Sequence, residues 1–160
     1  MPRPRKAVMA ALERKGFSAT DYKQRHPGGK LGAILCKVSD LMHTGDELPL
    51  VKEDAIMQEA LLTMSSKMLG CVGVVDDQGK LIGIITDGDL RRWMSPNLIE
   101  EKVSKVMTKN PKTIRPDVLA SEAVYVMNNT GRGITNLFVL EDEKPVGLIH
   151  IHDCLRAGVN

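Results

Sequence analysis

Aromatic residues are nearly absent: Phe17, Tyr22, Trp93, Tyr125 and Phe138 make up 3% of 160 residues. That scarcity argues against a nucleic-acid binder that stacks bases on aromatic platforms. Cysteine is sparse as well. Cys36, Cys71 and Cys154 are odd in number and far apart, which argues against a disulfide framework and a zinc site. Buried free thiols in a reducing cytosol are the expectation, and with them a cytoplasmic location. No apolar run approaches the roughly 18 residues that span a membrane. The charged start Met1-Pro2-Arg3-Pro4-Arg5-Lys6 has no apolar stretch behind it long enough for a signal peptide. Glycine at 14 and proline at 8 are ordinary, so disorder and collagen are excluded. With 42% hydrophobic and 26% charged residues, the chain suffices for one ordinary domain or two small units sharing a core.

Charge is unevenly spread. Residues 1–32 carry Arg3, Arg5, Lys6, Arg14, Lys15, Lys23, Arg25 and Lys30 against Glu13 and Asp21. That is a net of +6, and the remainder carries −4 against a total of +2. The step marks the first thirty residues as part of something else, as facing an anionic partner, or as a solvated basic helix.

What the sequence does contain is an internal repeat. Val38-Ser39-Asp40-Leu41-Met42 returns as Val103-Ser104-Lys105-Val106-Met107, an offset of 65. Glu59-Ala60-Leu61-Leu62-Thr63-Met64 returns as Glu122-Ala123-Val124-Tyr125-Val126-Met127, an offset of 63. Gly83-Ile84-Ile85-Thr86-Asp87-Gly88-Asp89 returns as Gly147-Leu148-Ile149-His150-Ile151-His152-Asp153, an offset of 64.

Each copy reads as β-α-β-β-α. A short strand leads, at 48–51 and at 112–115. An amphipathic helix follows. In the first copy Asp54 caps it, Ile56, Ala60, Leu61 and Met64 share a face, and Gly70 ends it. In the second copy Asp117 caps, Leu119, Ala123, Val126 and Met127 face inward, and Gly131 ends it. Two hairpin strands come next, at 71–75 and 81–86 across Asp76-Asp77-Gln78-Gly79, then at 134–140 and 146–150 across Glu141-Asp142-Glu143-Lys144. A last short helix begins at Asp89 or Asp153. One unit of about 55 residues buries too little surface alone, so the copies are expected to pack sheet against sheet. Residues 1–37 stand outside the repeat. They read as a helix over 7–15 stopped by Gly16, a cap-like Ser18-Ala19-Thr20-Asp21, and a break at His26-Pro27-Gly28-Gly29.

A duplicated β-α-β-β-α unit ending in Gly-apolar-apolar-Thr/Ser-x-x-Asp resembles a CBS-domain pair, or Bateman module. The first copy fits that ending in full; the second has His150 where threonine is expected. Four ordered motifs resemble the arabinose-5-phosphate isomerase family more narrowly: His26-Pro27-Gly28-Gly29-Lys30-Leu31-Gly32, Met42-His43-Thr44-Gly45-Asp46-Glu47-Leu48-Pro49, Thr86-Asp87-Gly88-Asp89-Leu90-Arg91-Arg92, and His150-Ile151-His152-Asp153-Cys154-Leu155-Arg156-Ala157-Gly158-Val159. The resemblance implies an α/β (α+β) fold of two CBS repeats packed as a pseudo-two-fold pair behind a helical linker. It divides the chain into 1–37, linker and tail of a catalytic sugar-isomerase (SIS) domain; 38–98, the first repeat; and 99–160, the second. The family interconverts ribulose 5-phosphate and arabinose 5-phosphate on the way to the sugar acid Kdo. Its active-site histidine maps onto His26, which has no proton-transfer partners in this sequence. The chain by itself is therefore expected not to be an enzyme, and no catalytic residue is assigned within it.

The residues of the repeated ending have their own chemistry. Gly83 lets the strand lie close to a neighbour or a ligand. Thr86 places a hydroxyl at the strand end, and Asp87-Gly88-Asp89 opens a helix whose free N–H groups suit an anion. Asp89 can accept two hydrogen bonds from adjacent ribose hydroxyls. The alternative is that Asp87 or Asp89 simply caps the helix. The duplication favours a ligand corner.

In the second copy His150, His152 and Asp153 hold the equivalent places. His150 and His152 point to one face if both lie on a strand, but a metal site lacks a third and fourth ligand at fitting spacing. His150 reads instead as a hydrogen-bond donor replacing threonine, or as a satisfied interface histidine. His43 and Thr44 form a polar loop that either turns or edges the cleft. Arg91, Arg92, Arg132 and Arg156 are phosphate or carboxylate partners, or solvated charges. Thr113 and Thr135 either face the cleft or serve as strand residues. No cofactor is required. The expected effector is a nucleotide or nucleotide sugar in the cleft between the copies, with CMP-Kdo favoured because the resemblance places the chain in the Kdo pathway. The expected partners are that effector and a second copy of the module, in a parent that is a tetramer, with neither nucleic acid nor membrane. A scaffold that binds nothing and an adenine-nucleotide sensor are the competing readings.

Overall fold

Two runs rich in β-branched and apolar residues, Cys-Val-Gly-Val-Val and Leu-Ile-Gly-Ile-Ile-Thr, prefer a pleated surface. They form an antiparallel hairpin, β2 (Cys71–Val75) and β3 (Leu81–Thr86), with Cys71 opposite Thr86 and Gly73 opposite Ile84. The computed structural model describes residues 30–131 and 133–160. The basic segment up to residue 29, with the expected helix 7–15 and His26, lies outside the described residues, as does Arg132.

The remaining elements are α1 (Lys30–Leu35), α2 (Val38–Leu41), β1 (Leu50–Lys52), α3 (Met57–Lys67), α4 (Asp87–Arg92), α5 (Val103–Val106), β4 (Thr108–Lys109), β5 (Thr113–Ile114), α6 (Ala120–Asn128), β6 (Asn136–Glu141), β7 (Lys144–His150) and α7 (Ile151–Arg156). Short 3-10 turns occupy Gly45–Glu47 and Leu98–Glu100. The fold is mixed α+β, with two sheets among the described residues, ordered β1-β2-β3-β4 and β5-β6-β7. β1 runs parallel to β2, β4 antiparallel to β3, and β5 parallel to β6.

The chain divides into two units that do not follow the repeat. Among the described residues, one holds 30–42, Arg115–Leu137 and Ile149–Asn160; the other holds His43–Ile114 and Phe138–Leu148. In the second unit, Val72, Val74 and Ile85 from the hairpin close over Met57 and Ala60 of α3 and Val103 and Val106 of α5. Cys71, Phe138 and Leu148 form a second cluster, lined by Leu50, Leu81 and Ile84. Gly73 is what admits Phe138, because a Cβ there would stand 2.7 Å from the ring and 3.0 Å from both Leu50 and Leu81. Gly83 lies close to a neighbour, the Met107 side chain, whose sulfur a Cβ there would overlap. In the first unit, Ala120, Ala123 and Met127 of α6 and Cys154 of α7 are buried.

The expected helix caps are displaced by two residues in both copies. The residues at the N-cap positions are Ile56 and Leu119, not Asp54 and Asp117. The first helical N–H groups, orphans in any helix, are met by backbone from the linkers. Met57 donates to the Glu101 carbonyl at 2.7 Å, and Ala120 donates to the Cys36 carbonyl at 2.8 Å. A carbonyl supplied from far along the chain replaces the side-chain cap. Asp117 is instead exposed and accepts from Arg115 Nε at 3.2 Å. That bond holds its carboxyl below the usual carboxylate range.

Candidate functional site

The strand-to-helix corner of the first copy is a capping box with additional partners. β3 ends at Thr86, whose extended backbone is the N-cap of α4, and Asp89 is the third helical residue. The helix thus opens at Asp87, two residues before Asp89. Asp89 Oδ2 accepts the Thr86 N–H at 2.9 Å and the Thr86 hydroxyl at 3.1 Å. Asp89 Oδ1 accepts Arg92 Nη2 at 2.6 Å and the Thr108 hydroxyl at 2.5 Å. The Asp89 side chain is 2% exposed, that of Arg92 55%.

A carboxylate buried this deeply must be paired and hydrogen-bonded to remain charged. Here both oxygens are engaged. The two acceptor positions expected for a ribose are taken by Arg92 and Thr108, so the capping alternative describes Asp89 as it stands. Asp87 and Gly88 are exposed on the first turn.

Thr108 was not singled out in the sequence. It sits on β4, which pairs with β3 through Ile84↔Thr108 and Gly83↔Lys109. Its signal was the repeat: the offset of 65 places it where His43 stands in the first copy. The backbone follows the same rule, with His43 bridged antiparallel to Leu148, 64 residues beyond Ile84. His43 N donates to Leu148 O at 2.8 Å, and Leu148 N returns the bond at 3.0 Å. His43 Nδ1 lies 2.8 Å from Glu47 Oε2. Thr44 is exposed, and its carbonyl takes the Glu47 N–H at 3.2 Å, closing the turn. Lys67 at the end of α3 donates to the Asp46 carbonyl.

The second copy's corner uses the same backbone device with different side-chain chemistry. His150 is the N-cap of α7, and Asp153 is its third residue. Asp153 Oδ2 accepts the His150 N–H at 3.2 Å, and Oδ1 accepts Arg156 Nη2 at 2.5 Å. The His150 imidazole takes the place of the threonine hydroxyl. Its Nδ1 accepts the His152 N–H at 3.1 Å. His150 and His152 do not share a strand face either, because the strand stops at His150 and His152 is already helical. Their rings tilt at 53° with centroids 4.6 Å apart. Among the described residues, no group of three or more His, Cys, Asp or Glu side chains is placed to hold a metal ion. The Thr135 carbonyl accepts the Ile151 N–H at 2.8 Å, so its backbone supports α7 while the residue itself is exposed. Thr113 is half-buried on β5 opposite Phe138.

All three cysteines are buried, and none is in a disulfide. Burial pushes the Cys71 thiol up to about 12. Burial, then the neighbouring Asp153 and Cys36, raises Cys154 to about 11. Neither is a nucleophile at neutral pH.

The CBS domain model matches residues 38–96 and 103–160. Over 155 residues the chain is 43% identical to arabinose 5-phosphate isomerase KdsD of Escherichia coli K12, covering 95% of this chain and 47% of that protein. It is 44% identical to the Rickettsia prowazekii protein RP505, covering 96% and 48%. The chain thus spans about half the length of the curated relatives it matches. A Pyrococcus horikoshii protein has a similar structure, at TM-score 0.66 and 26% identity over 79% of this chain and 95% of that one. CBSX2 of Arabidopsis thaliana, solved in complex with AMP, gives TM-score 0.65 at 24% identity, covering 77% and 96%; this likeness shows the fold.

Proposed function

The chain belongs to the CBS-domain family, and from that premise we propose that it is the regulatory CBS pair of an arabinose-5-phosphate isomerase, sensing a nucleotide or nucleotide sugar such as CMP-Kdo. The observation that carries the isomerase half is 43% identity to KdsD across 95% of this chain. The ligand half rests on the Thr86–Asp89 corner. Capping α4 needs one carboxylate oxygen, yet the other oxygen of Asp89 is buried against Arg92 and Thr108. That buried charged cluster exceeds what capping requires, and the diol and phosphate of a nucleotide match its groups. CBSX2 has been solved with AMP, and the protein MJ0100 with 5'-methylthioadenosine and S-adenosyl-L-methionine. An end product acting on a module attached to an early enzyme links flux to supply through a coupling free energy between two sites.

In this reading the chain alone does not turn over arabinose 5-phosphate, and it pairs with a second copy. Leu62 on α3 and Tyr125 on α6 hold equivalent places in the two repeats and are each 66% exposed, as an interface between copies would require. Light scattering at high protein concentration that finds only monomer counts against the pairing. Isomerase turnover by the purified chain, surviving His26→Ala, counts against the division of labour.

Thermal shift with AMP, ATP, CMP and CMP-Kdo tests the ligand. Stabilisation by CMP-Kdo beyond that by AMP or ATP is expected. A response to AMP and ATP alone replaces the reading with an energy sensor, and no response to any of the four replaces it with a scaffold.

A further inference from the structure

Asp89 offers nothing to an incoming ribose while its present partners stay. A carboxylate has about four lone-pair positions, and four donors fill them: the Thr86 N–H and hydroxyl on Oδ2, Arg92 and the Thr108 hydroxyl on Oδ1. These donors differ in how easily they can leave. The Thr86 pair is fixed by the end of β3 and the start of α4. Thr108 is held by the pairing of β4 with β3, and only its hydroxyl rotor is free to turn. Arg92 is on the last turn of α4, on a long stem with its side chain 55% exposed. It can swing into solvent without moving the backbone.

Exchanging Arg92 for a neutral hydroxyl is nevertheless unfavourable by itself. It trades a charge-assisted bond for a weaker one at a carboxylate that is 2% exposed. The exchange becomes favourable when the departing guanidinium gains another anion. A ligand that carries a vicinal diol and a phosphate supplies both halves.

We propose that Arg92 is the selectivity element of this corner: it closes Asp89 in the free protein and moves to the ligand's phosphate on binding, so that nucleotides are admitted and nucleosides rejected. This rests on the nucleotide reading above. Trp93, the next residue and the one tryptophan in the chain, donates its backbone N–H to the Asp89 backbone carbonyl at 3.0 Å. Its exposed ring therefore reports on the end of α4.

Calorimetry on the full chain tests the proposal with CMP, AMP and CMP-Kdo against cytidine and adenosine, with Trp93 emission as a second readout. The wild type is expected to bind the tightest of the three phosphates at least about tenfold more tightly than its nucleoside. Arg92→Gln keeps an N–H donor for Asp89 but carries no charge, and it should bring that ratio to within about threefold. Arg92→Lys should keep most of it. Thermal melts of both variants verify folding, and Gln guards against the unpaired buried carboxylate that Arg92→Ala would leave. An unchanged ratio in a folded Arg92→Gln variant overturns this inference alone. Wild-type protein that binds none of the three phosphates overturns it together with the nucleotide reading.

Discussion

The two repeats solve one backbone problem with two chemistries. In both, an aspartate three residues beyond the strand end accepts the N-cap N–H and an arginine three residues further on: Asp89 with Arg92, Asp153 with Arg156. The first copy adds hydroxyls that donate inward to the carboxylate, from Thr86 and Thr108. The second has an imidazole that accepts from the helix, through His150 Nδ1. Burial follows the same division, with the Asp89 side chain 2% exposed and Asp153 11%. Of the shared part, the N-cap bond to the aspartate is what folding the strand into a helix requires, and the arginine on the other oxygen lies beyond it. The differing part is where a function specific to one corner resides.

The largest effect expected from this contrast is on stability. Asp89→Ala strips four donors of their acceptor and leaves Arg92 without its anion, at a cost of about 3–4 kcal/mol. Asp153→Ala, in the more open corner, should cost about 1–2 kcal/mol. Urea melts of the two variants measure the difference, and equal losses would erase the asymmetry claimed here.

A smaller effect separates the hairpins. The first turn places Gly79 at φ +81°, whereas the second places Asp142 and Glu143 at φ +51° and +66°. Left-handed backbone is costly for a residue with a Cβ. Glu143→Gly should therefore stabilise by up to about 1 kcal/mol, less what the exposed Lys80–Glu143 pair contributes. A glycine at Asp77 in the first turn, where φ is not positive, has no such strain to relieve. A lower melting temperature for Glu143→Gly contradicts the comparison.

The smallest effect concerns the thiols. Both folded values lie above the ordinary 9.0, to about 12 for Cys71 and about 11 for Cys154. The unfolded chain therefore ionises first as pH rises. The stabilisation from keeping these thiols neutral is complete below about 9 and is lost as pH climbs through 11 and then 12. Because the charge of Asp153 contributes at Cys154, Asp153→Asn should lower that thiol's value and leave Cys71 where it is. Absorbance titration of thiolate in Cys36→Ser variants reads both; a shift at Cys71 alone would contradict the assignment.

The local patterns were legible where the cause is local. Runs of Val, Ile and Leu placed the first hairpin to the residue and the second to within two, its strands running at Asn136–Glu141 and Lys144–His150, and the repeat offsets gave the order of elements. The helix starts were read two residues early in α3 and α6 because their caps are carbonyls of Glu101 and Cys36, which no local window contains. The corner helices were read two residues late because Asp89 and Asp153 cap from the third helical position, behind Thr86 and His150. β4 has only two residues, too few to carry a period, and with it Thr108 was missed. Thr86 and Asp89 were found as a pair, but not that Arg92 and Thr108 already occupy the carboxylate. His150 and His152 were read by strand spacing across a junction where the strand ends.

Calorimetric titration of CMP-Kdo into the wild type, Thr86→Ala and Asp89→Ala tests the central claim most directly, namely that the first corner is the ligand corner. The account predicts binding that Asp89→Ala weakens by about ten- to hundredfold and Thr86→Ala by less. Affinity unchanged in both variants would contradict it.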